Sequence, residues 1–291
     1  MSMPEHSLTP EQLEQFQRDG YLVLPSLFSA AEIARMRAEA DRVLELILNS
    51  SMALGRCSHR LDWRQLADGS QIVRKIQPVN DLSPYLAEVS NDPRLLQPMR
   101  QIMGHEPILM EEKLNYKQPL PVRIEGLPIH PNDDRFPVHN DWAYYRSQNY
   151  PQDILSSAIS LDDCPPESGP IHVWPGTHHQ HLEHQPVDIG LQVSPDAVDF
   201  AGGVDILAPA GSVMLFHALL IHNSRANASD RPRRIMIYSH YPDRVDMGHD
   251  VRNGPTRARE QPYEQQYREM LARGEYQPVF RAPVIAGPAE R

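Results

Sequence analysis

The stretch GSVMLFHALLIHNSRANASDRPRRIMIYSHY (211–241) reads as two strands joined by a turn. Residues i and i+2 of a strand share a face. Val213, Leu215, His217, Leu219 and Ile221 then lie on one face, and Met214, Phe216, Ala218, Leu220 and His222 on the other. If the strand is regular to its end, only one of His217 and His222 points into the protein. NSRANASD supplies the turn, and Arg233 or Arg234 opens the second strand.

The same punctuation extends upstream to about residue 107. PILMEEKLNYK, FPVHNDWAYY, ILSSAISLDD and GPIHVWPGTHH are short β-like runs separated by Pro, Gly, Asp and Asn. The chain holds 28 prolines, about twice the usual share of roughly 5%, and they cluster between residues 118 and 175. Short strands and long loops suit a jelly roll of two facing sheets. The expected fold is mostly β with flanking helices.

Helical patterns precede this region. In TPEQLEQFQRDG (9–20), Thr9 is placed as N-cap, Pro10 at the first helical position and Gln12 as capping-box partner, with Gly20 as the stop. YLVL follows as a short strand. FSAAEIARMRAEADRVLELIL carries a Ser29/Glu32 box, and Ile33, Met36, Ala40, Val43, Leu44 and Ile47 recur at helical spacing. Residues 84–103 are helical, with a break at Asp92-Pro93. The expected organisation is one domain over 1–291: a helical part at about 8–105, the β core at about 106–243, and a polar wrapping tail at 244–291. No repeat or low-complexity tract interrupts it.

Net charge is −10 with no run of Lys or Arg, which excludes a nucleic-acid face and binding to an anionic membrane surface. No apolar stretch approaches the ~20 residues of a membrane span. The N-terminus has neither a basic n-region nor an apolar h-region. Cys57 and Cys164 make no disulfide framework. The expected compartment is a reducing cytoplasm.

PVHNDW (137–142) carries the chemistry. On a strand His139 and Asp141 would share a face and converge on one point, as two ligands of a metal must. With 14 histidines in the chain, H-x-D alone is a weak signal and needs a third ligand. Two histidines and one carboxylate on a β scaffold form the facial triad of non-haem Fe(II) oxygenases. A tetrahedral zinc site would want more nitrogen or sulfur, and neither cysteine has suitable neighbours. Three coordination sites would remain for a chelating co-substrate and O2. The far carboxylate of a dianionic chelator needs a fixed cation. Arg233 lies eleven positions beyond His222, and a guanidinium suits a bidentate carboxylate contact better than a lysine. Ser224 can add a hydroxyl hydrogen bond.

These segments together resemble the phytanoyl-CoA dioxygenase family of Fe(II)- and 2-oxoglutarate-dependent oxygenases. RDGYLVLPSLFSAAEI is similar to the family's opening helix–strand–helix, and HNDW to its H-x-D strand. GPIHVWPGTHH is similar to its G-P-x-x-x-x-P-G-[ST]-H segment, and LLIHNSRANASDRPRR to its distal-histidine hairpin. The likeness runs from about residue 8 to 243. It implies a double-stranded β-helix (jelly roll, cupin-like) core, with His139, Asp141 and His222 on iron and Arg233 on the C5 carboxylate of 2-oxoglutarate. It further implies Lys75, in VRKIQPV, near the co-substrate, and Lys113 and Ser224 lining it. Where some members place a tryptophan on that wall, this chain offers Ile159.

The activity implied is hydroxylation of an unactivated C–H bond in a small molecule, using Fe(II), 2-oxoglutarate and O2 and releasing succinate and CO2. Desaturation, ring closure or epimerisation would use the same cofactors. Halogenating members typically lose the carboxylate that Asp141 retains. Trp142, Tyr144, Tyr145, Arg146, His172, Trp174, Tyr238 and His240 are the candidates for the substrate pocket. No basic cluster suits the phosphates of coenzyme A, which favours a free small molecule. A cupin-like Zn or Mn enzyme would keep the triad without needing Arg233. A non-enzymatic β-sandwich binding module would need none of these residues.

Overall fold

Two capping boxes start the N-terminal helices where their sequences require. The computed structural model describes residues 5–66, 68–120, 124, 134–248, 251 and 262–282. In α1 (Pro10–Asp19) Thr9 Oγ1 accepts the Gln12 N–H at 3.3 Å, and Gln12 Oε1 accepts the Thr9 N–H at 2.9 Å. Gly20 ends α1 at φ 79°, where a Cβ would lie 2.5 Å from the His178 ring, so both conformation and space demand glycine. β1 (Tyr21–Leu24) follows. Ser29 and Glu32 repeat the box at the start of α2 (Ala30–Ala53). The stripe Ile33, Met36, Ala40, Val43, Leu44 and Ile47 is buried.

The region expected to be helical up to about residue 105 also contains strands, which corrects that expectation. β2 (Leu61–Gln65) and β3 (Gln71–Ile76) form an antiparallel ribbon turned at Asp68-Gly69. Gly69 has φ 83°, and Asp68 Oδ1 accepts the Ser70 N–H at 2.9 Å. The D-G turn and the β-branched run QIVRKI were the available signal. α3 (Pro84–Val89) and α4 (Pro93–Met103) flank the break at Asp92, which caps α4 by accepting the Arg94 N–H at 2.8 Å.

The β core then runs through β4 (Pro107–Pro119), β5 (Phe136–His139), the short α5 (Trp142–Tyr145), β6 (Leu155–Ser160), β7 (Ile171–Val173), β8 (His184–Val187) and β9 (Gly190–Val193). It continues through β10 (Val204–Asp205), β11 (Val213–His217), β12 (His222–Ser224) and β13 (Ile235–Pro242). One sheet has seven strands in the order β1-β11-β6-β13-β4-β3-β2, the other four in the order β10-β7-β12-β5, and β8–β9 is a separate ribbon. Ladder pairing is antiparallel throughout.

Side-chain alternation decides which face each strand buries. Met214, Phe216, Ala158, Ile235 and Ile237 of the large sheet pack with Val173 and Ile171 of the small one, so the two sheets face each other. Val213, Leu215, Ile159 and Met236 project the other way, into the principal core beneath α2. This is the jelly roll, buttressed by helices on its outer face.

The stretch 211–241 is not one hairpin. β11 and β13 lie in the large sheet with β6 between them, and β12 lies in the small sheet. After His217 the chain turns, with the Leu220 N–H donating to the His217 carbonyl at 2.9 Å. His222 therefore begins a new strand, and the alternation from residue 213 does not reach it.

The tail packs as well as wraps. α6 (Pro262–Ala272) sends Tyr267 into the principal core, joined by Phe280. Arg60 Nε meets Glu264 Oε1 at 3.0 Å, both side chains fully buried. Asn49 Oδ1 on α2 accepts the N–H groups of Val279 and Phe280 at 2.9 and 3.0 Å. Residues 249–250, 252–261 and 283–291 of the expected tail lie outside the described residues. Among the described residues no helix is long and apolar enough to cross a membrane.

Candidate active site

β5 and β12 are neighbours in the small sheet, and His139 and His222 are register partners across them. Their ring centroids lie 4.4 Å apart. Asp141 joins them differently from the expected strand geometry. β5 ends at His139, and Asp141 has helical dihedrals (φ −65°, ψ −32°) ahead of α5. The turn, not strand alternation, returns its carboxylate. Asp141 Oδ1 lies 3.6 Å from His139 Nε2 and 3.8 Å from His222 Nε2. One ligand atom from each residue falls within 4.8 Å of the other two.

Hydrogen bonds set which ring nitrogen is free. His139 Nδ1 donates to the Pro137 carbonyl at 2.7 Å and His222 Nδ1 to the Leu220 carbonyl at 2.9 Å. Both lone pairs therefore sit on Nε2, toward the cluster. Burial, reinforced by the His139 ring, lowers the His222 pKa to about 4, so this imidazole is neutral near pH 7. Burial opposes ionisation of Asp141, but the Lys113 charge foremost offsets it, and the carboxyl is held well below its usual range.

Arg233 and Arg234 immediately precede β13 and turn to opposite sides, with different partners. Arg234 is satisfied: Nε and NH2 reach the two Asp162 oxygens at 2.9 Å each, and NH1 reaches Asp41 at 2.8 Å. Arg233 is 1% exposed and donates through NH2 to the Gly169 carbonyl at 2.7 Å. Its Nε has no partner, and no carboxylate pairs with it, among the described residues. Gly169 permits this contact. It has φ 66°, and a Cβ there would lie 2.3 Å from the Arg225 carbonyl oxygen.

The triad and Arg233 line one cavity of about 320 Å³. Ser224, Lys75, Lys113 and Tyr145 line it too, with Arg74, Gln77, Glu111, Asn115, Phe136, Tyr144, Gln148, Ile189 and Asn223. Glu111 was missed in the sequence, although Glu111, Lys113 and Asn115 alternate along β4 and share the face of Lys113. Glu111 Oε1 accepts from Lys113 Nζ at 2.9 Å and from the Tyr145 hydroxyl at 2.8 Å. Burial favours a neutral lysine, but the Glu111 carboxylate overrides it and raises the Lys113 pKa well above normal. Burial and Lys113 together lower the pKa of Lys75, whose Nζ donates to Gln77 Oε1 at 3.3 Å.

Six of the eight expected pocket residues, Trp142, Arg146, His172, Trp174, Tyr238 and His240, lie off this cavity, and Ile159 is not on its wall. Trp142 donates Nε1–H to the Tyr150 carbonyl at 3.1 Å and packs in a separate apolar cluster. Arg146 sits at the surface with Glu183, 3.2 Å away. Trp174 packs with Val138, Val193, Val198 and Ile221 and donates to the Asp199 carbonyl. Tyr238 crosses the large sheet to the helical side, where its hydroxyl donates to the Leu86 carbonyl at 2.6 Å. Ile159 is fully buried on that same outer side. Proximity in sequence to a ligand does not set the face a side chain takes.

Two imidazoles with Nε2 turned toward one ionised carboxylate fit a 2-His-1-carboxylate iron site. A buried guanidinium lacking a carboxylate partner among the described residues fits the far end of a dianionic co-substrate. The profile of one protein family, described as phytanoyl-CoA dioxygenase, matches residues 16–235. The chain is 28% identical over 253 residues to an ectoine dioxygenase of Bordetella bronchiseptica, covering 80% of this chain and 76% of that protein. It is 25% identical over 260 residues to the L-proline trans-4-hydroxylase of Streptomyces griseoviridis, covering 82% and 88%. EctD from S. alaskensis, solved with 2-oxoglutarate and 5-hydroxyectoine, has a TM-score of 0.63 at 22% identity, covering 83% of this chain and 79% of that one. The epimerase SnoN, solved with Fe3+ and alpha ketoglutarate, has a TM-score of 0.61 at 17% identity, covering 96% and 95%.

Proposed function

This chain belongs to the phytanoyl-CoA dioxygenase family, and from that premise we propose that it hydroxylates an unactivated C–H bond of a small molecule. It is an iron- and 2-oxoglutarate-dependent dioxygenase, its donor set being the His-Asp-His cluster. When bound, iron with 2-oxoglutarate and O2 supplies the oxidising equivalent, the co-substrate leaving as succinate and CO2. The observation that carries the reading is one cavity holding the triad together with the guanidinium of Arg233, which has no carboxylate partner among the described residues.

The roles follow from the surroundings. His139 and His222 present fixed Nε2 lone pairs, and Asp141 stays ionised beside Lys113. Arg233, with Ser224 nearby, receives the distal carboxylate of 2-oxoglutarate. Lys75 and Lys113 add positive potential along the wall where that dianion lies. Tyr145, Tyr144 and Phe136 shape the remainder of the cavity for the substrate. Its size, and the relatives named for ectoine and L-proline, favour a free small molecule. Two free cysteines suit a reducing cytoplasm.

Epimerisation is the second reading, favoured by the likeness to SnoN across 96% of this chain. A screen of small polar compounds, scored by succinate release and by product mass, separates the two. Hydroxylation adds one oxygen to the product, and epimerisation leaves the mass unchanged. Anaerobic addition of Fe(II) and 2-oxoglutarate should give a weak visible charge-transfer band. Its absence would sink both readings.

A further inference from the structure

Three histidines here are fixed by one device, in which ring Nδ1 donates to the carbonyl two residues earlier. His139 does so to Pro137, His222 to Leu220, and His184 to Leu182 at 2.6 Å. Each is left with its lone pair on Nε2. In His139 and His222 that atom faces the cluster. His184 Nε2 instead accepts the backbone N–H of Asn140 at 3.0 Å, and Asn140 is the residue between His139 and Asp141.

We propose that His184 is a positioning residue of the metal site, fixing the Asn140 peptide so that His139 and Asp141 face the same point. The inference rests on reading the triad as the iron site. Asn140 is fully buried, and β5 stops at His139, so its N–H depends on this acceptor. The side chain of Asn140 is used on the far side, where Oδ1 accepts the Ala143 N–H at 3.0 Å and Nδ2 donates to His181 Nδ1 at 3.3 Å. These bonds hold the turn from its side chain, and His184 holds it from its backbone.

The ribbon that carries His184 grips the turn a second time. The Leu191 N–H donates to the Tyr144 hydroxyl at 2.8 Å, and the Tyr144 ring meets the His139 ring edge-on with centroids 5.5 Å apart. The β8–β9 ribbon thus spans the ligand turn from Asn140 to Tyr144, and its Ile189 and Gly190 line the cavity. Without an acceptor at 184 the Asn140 peptide loses its backbone anchor and can rotate within the limits its side chain sets. Both flanking ligands are covalently tied to that rotation.

The test is an anaerobic Fe(II) titration of the full apo-chain without co-substrate, with the Co(II) absorption spectrum as a probe of ligand geometry. His184→Ala should weaken Fe(II) binding by roughly 10- to 100-fold, the usual effect of losing a hydrogen-bond partner behind metal ligands, and should shift the Co(II) bands. His184→Gln, whose amide oxygen can accept the same N–H, should recover most of both. Hydrogen exchange should quicken at residues 139–145 in the alanine variant and stay unchanged along α2. Wild-type affinity in His184→Ala, equal losses in both variants, or faster exchange along the whole chain would each overturn the proposal. A wild-type chain that takes up no Fe(II) would overturn the iron reading beneath it.

Discussion

His139 and His222 are cross-strand register partners, although they lie 83 positions apart in the chain (222 − 139). Adjacent antiparallel strands bring such partners within about 5.5 Å at their Cα atoms, close enough for two imidazoles to share one ion. The pairing makes the metal centre a property of the ladder, with Asp141 added by the turn that ends β5.

Loss of either imidazole should abolish Fe(II) binding rather than weaken it. His139→Ala and His222→Ala are each expected to lower turnover by at least about 100-fold, beyond the effect of losing a partner behind the ligands. Metal content after anaerobic reconstitution checks this. Stoichiometric iron in either variant would contradict the assignment.

Neighbouring arginines should fail in different ways. Arg233→Ala is expected to raise the KM for 2-oxoglutarate about 10- to 100-fold, or ~1.4–2.8 kcal/mol, with little change in unfolding midpoint. Arg234→Ala strands the Asp41 carboxylate and leaves Asp162 with Arg37 alone, 3.2 Å away, and should destabilise the fold by on the order of 3 kcal/mol. Steady-state kinetics beside urea unfolding separates them. Equal effects on both observables would refute the distinction.

The Glu111–Lys113 pair should behave as a unit. Glu111→Leu leaves a buried ammonium without its carboxylate, and Lys113→Leu leaves the converse, so each alone destabilises. The double variant should recover part of the loss, with a coupling of about 1–3 kcal/mol. An additive double-mutant cycle would show that the two charges act independently.

Acid should destabilise the apo-protein through three partly buried histidines. Burial foremost lowers His217, His222 and His184 to about 4. Each stays neutral when folded but takes up a proton below about 6.5 when unfolded. Between pH 4 and 6.5 the unfolded chain thus binds more protons, and stability rises with pH by at most about 1.4 kcal/mol per unit for each group. His217 lies outside the metal cluster, and its Nδ1 accepts the Leu219 N–H at 3.1 Å. His217→Asn retains an acceptor and should flatten the slope in urea unfolding at stepped pH. An unchanged slope would remove His217 from the account.

Local chemistry was legible in the sequence wherever it acts over three or four residues. Thr9 with Gln12 and Ser29 with Glu32 announced their helices, because a capping box is built from adjacent backbone. The alternation of Val213 to Phe216 correctly divided β11 between two faces. The β2–β3 ribbon carried a readable D-G turn but sat among helices, so its strands made little sense before β4 was there to pair with.

What the sequence by itself determined was the inventory: strand-length apolar runs, the H-x-D pair, a later histidine and two arginines across a turn. The tertiary structure alone decided which members of that inventory meet. It broke the strand after His217, so that His222 starts afresh in the other sheet beside His139. It turned Arg234 to Asp162 and Arg233 to the cavity, and it sent Tyr238 and Ile159 to the helical side. The physical reason is that a side chain's face follows from where its strand begins and which strand it pairs with. Both are set by contacts between residues far apart in the chain, which no local pattern encodes.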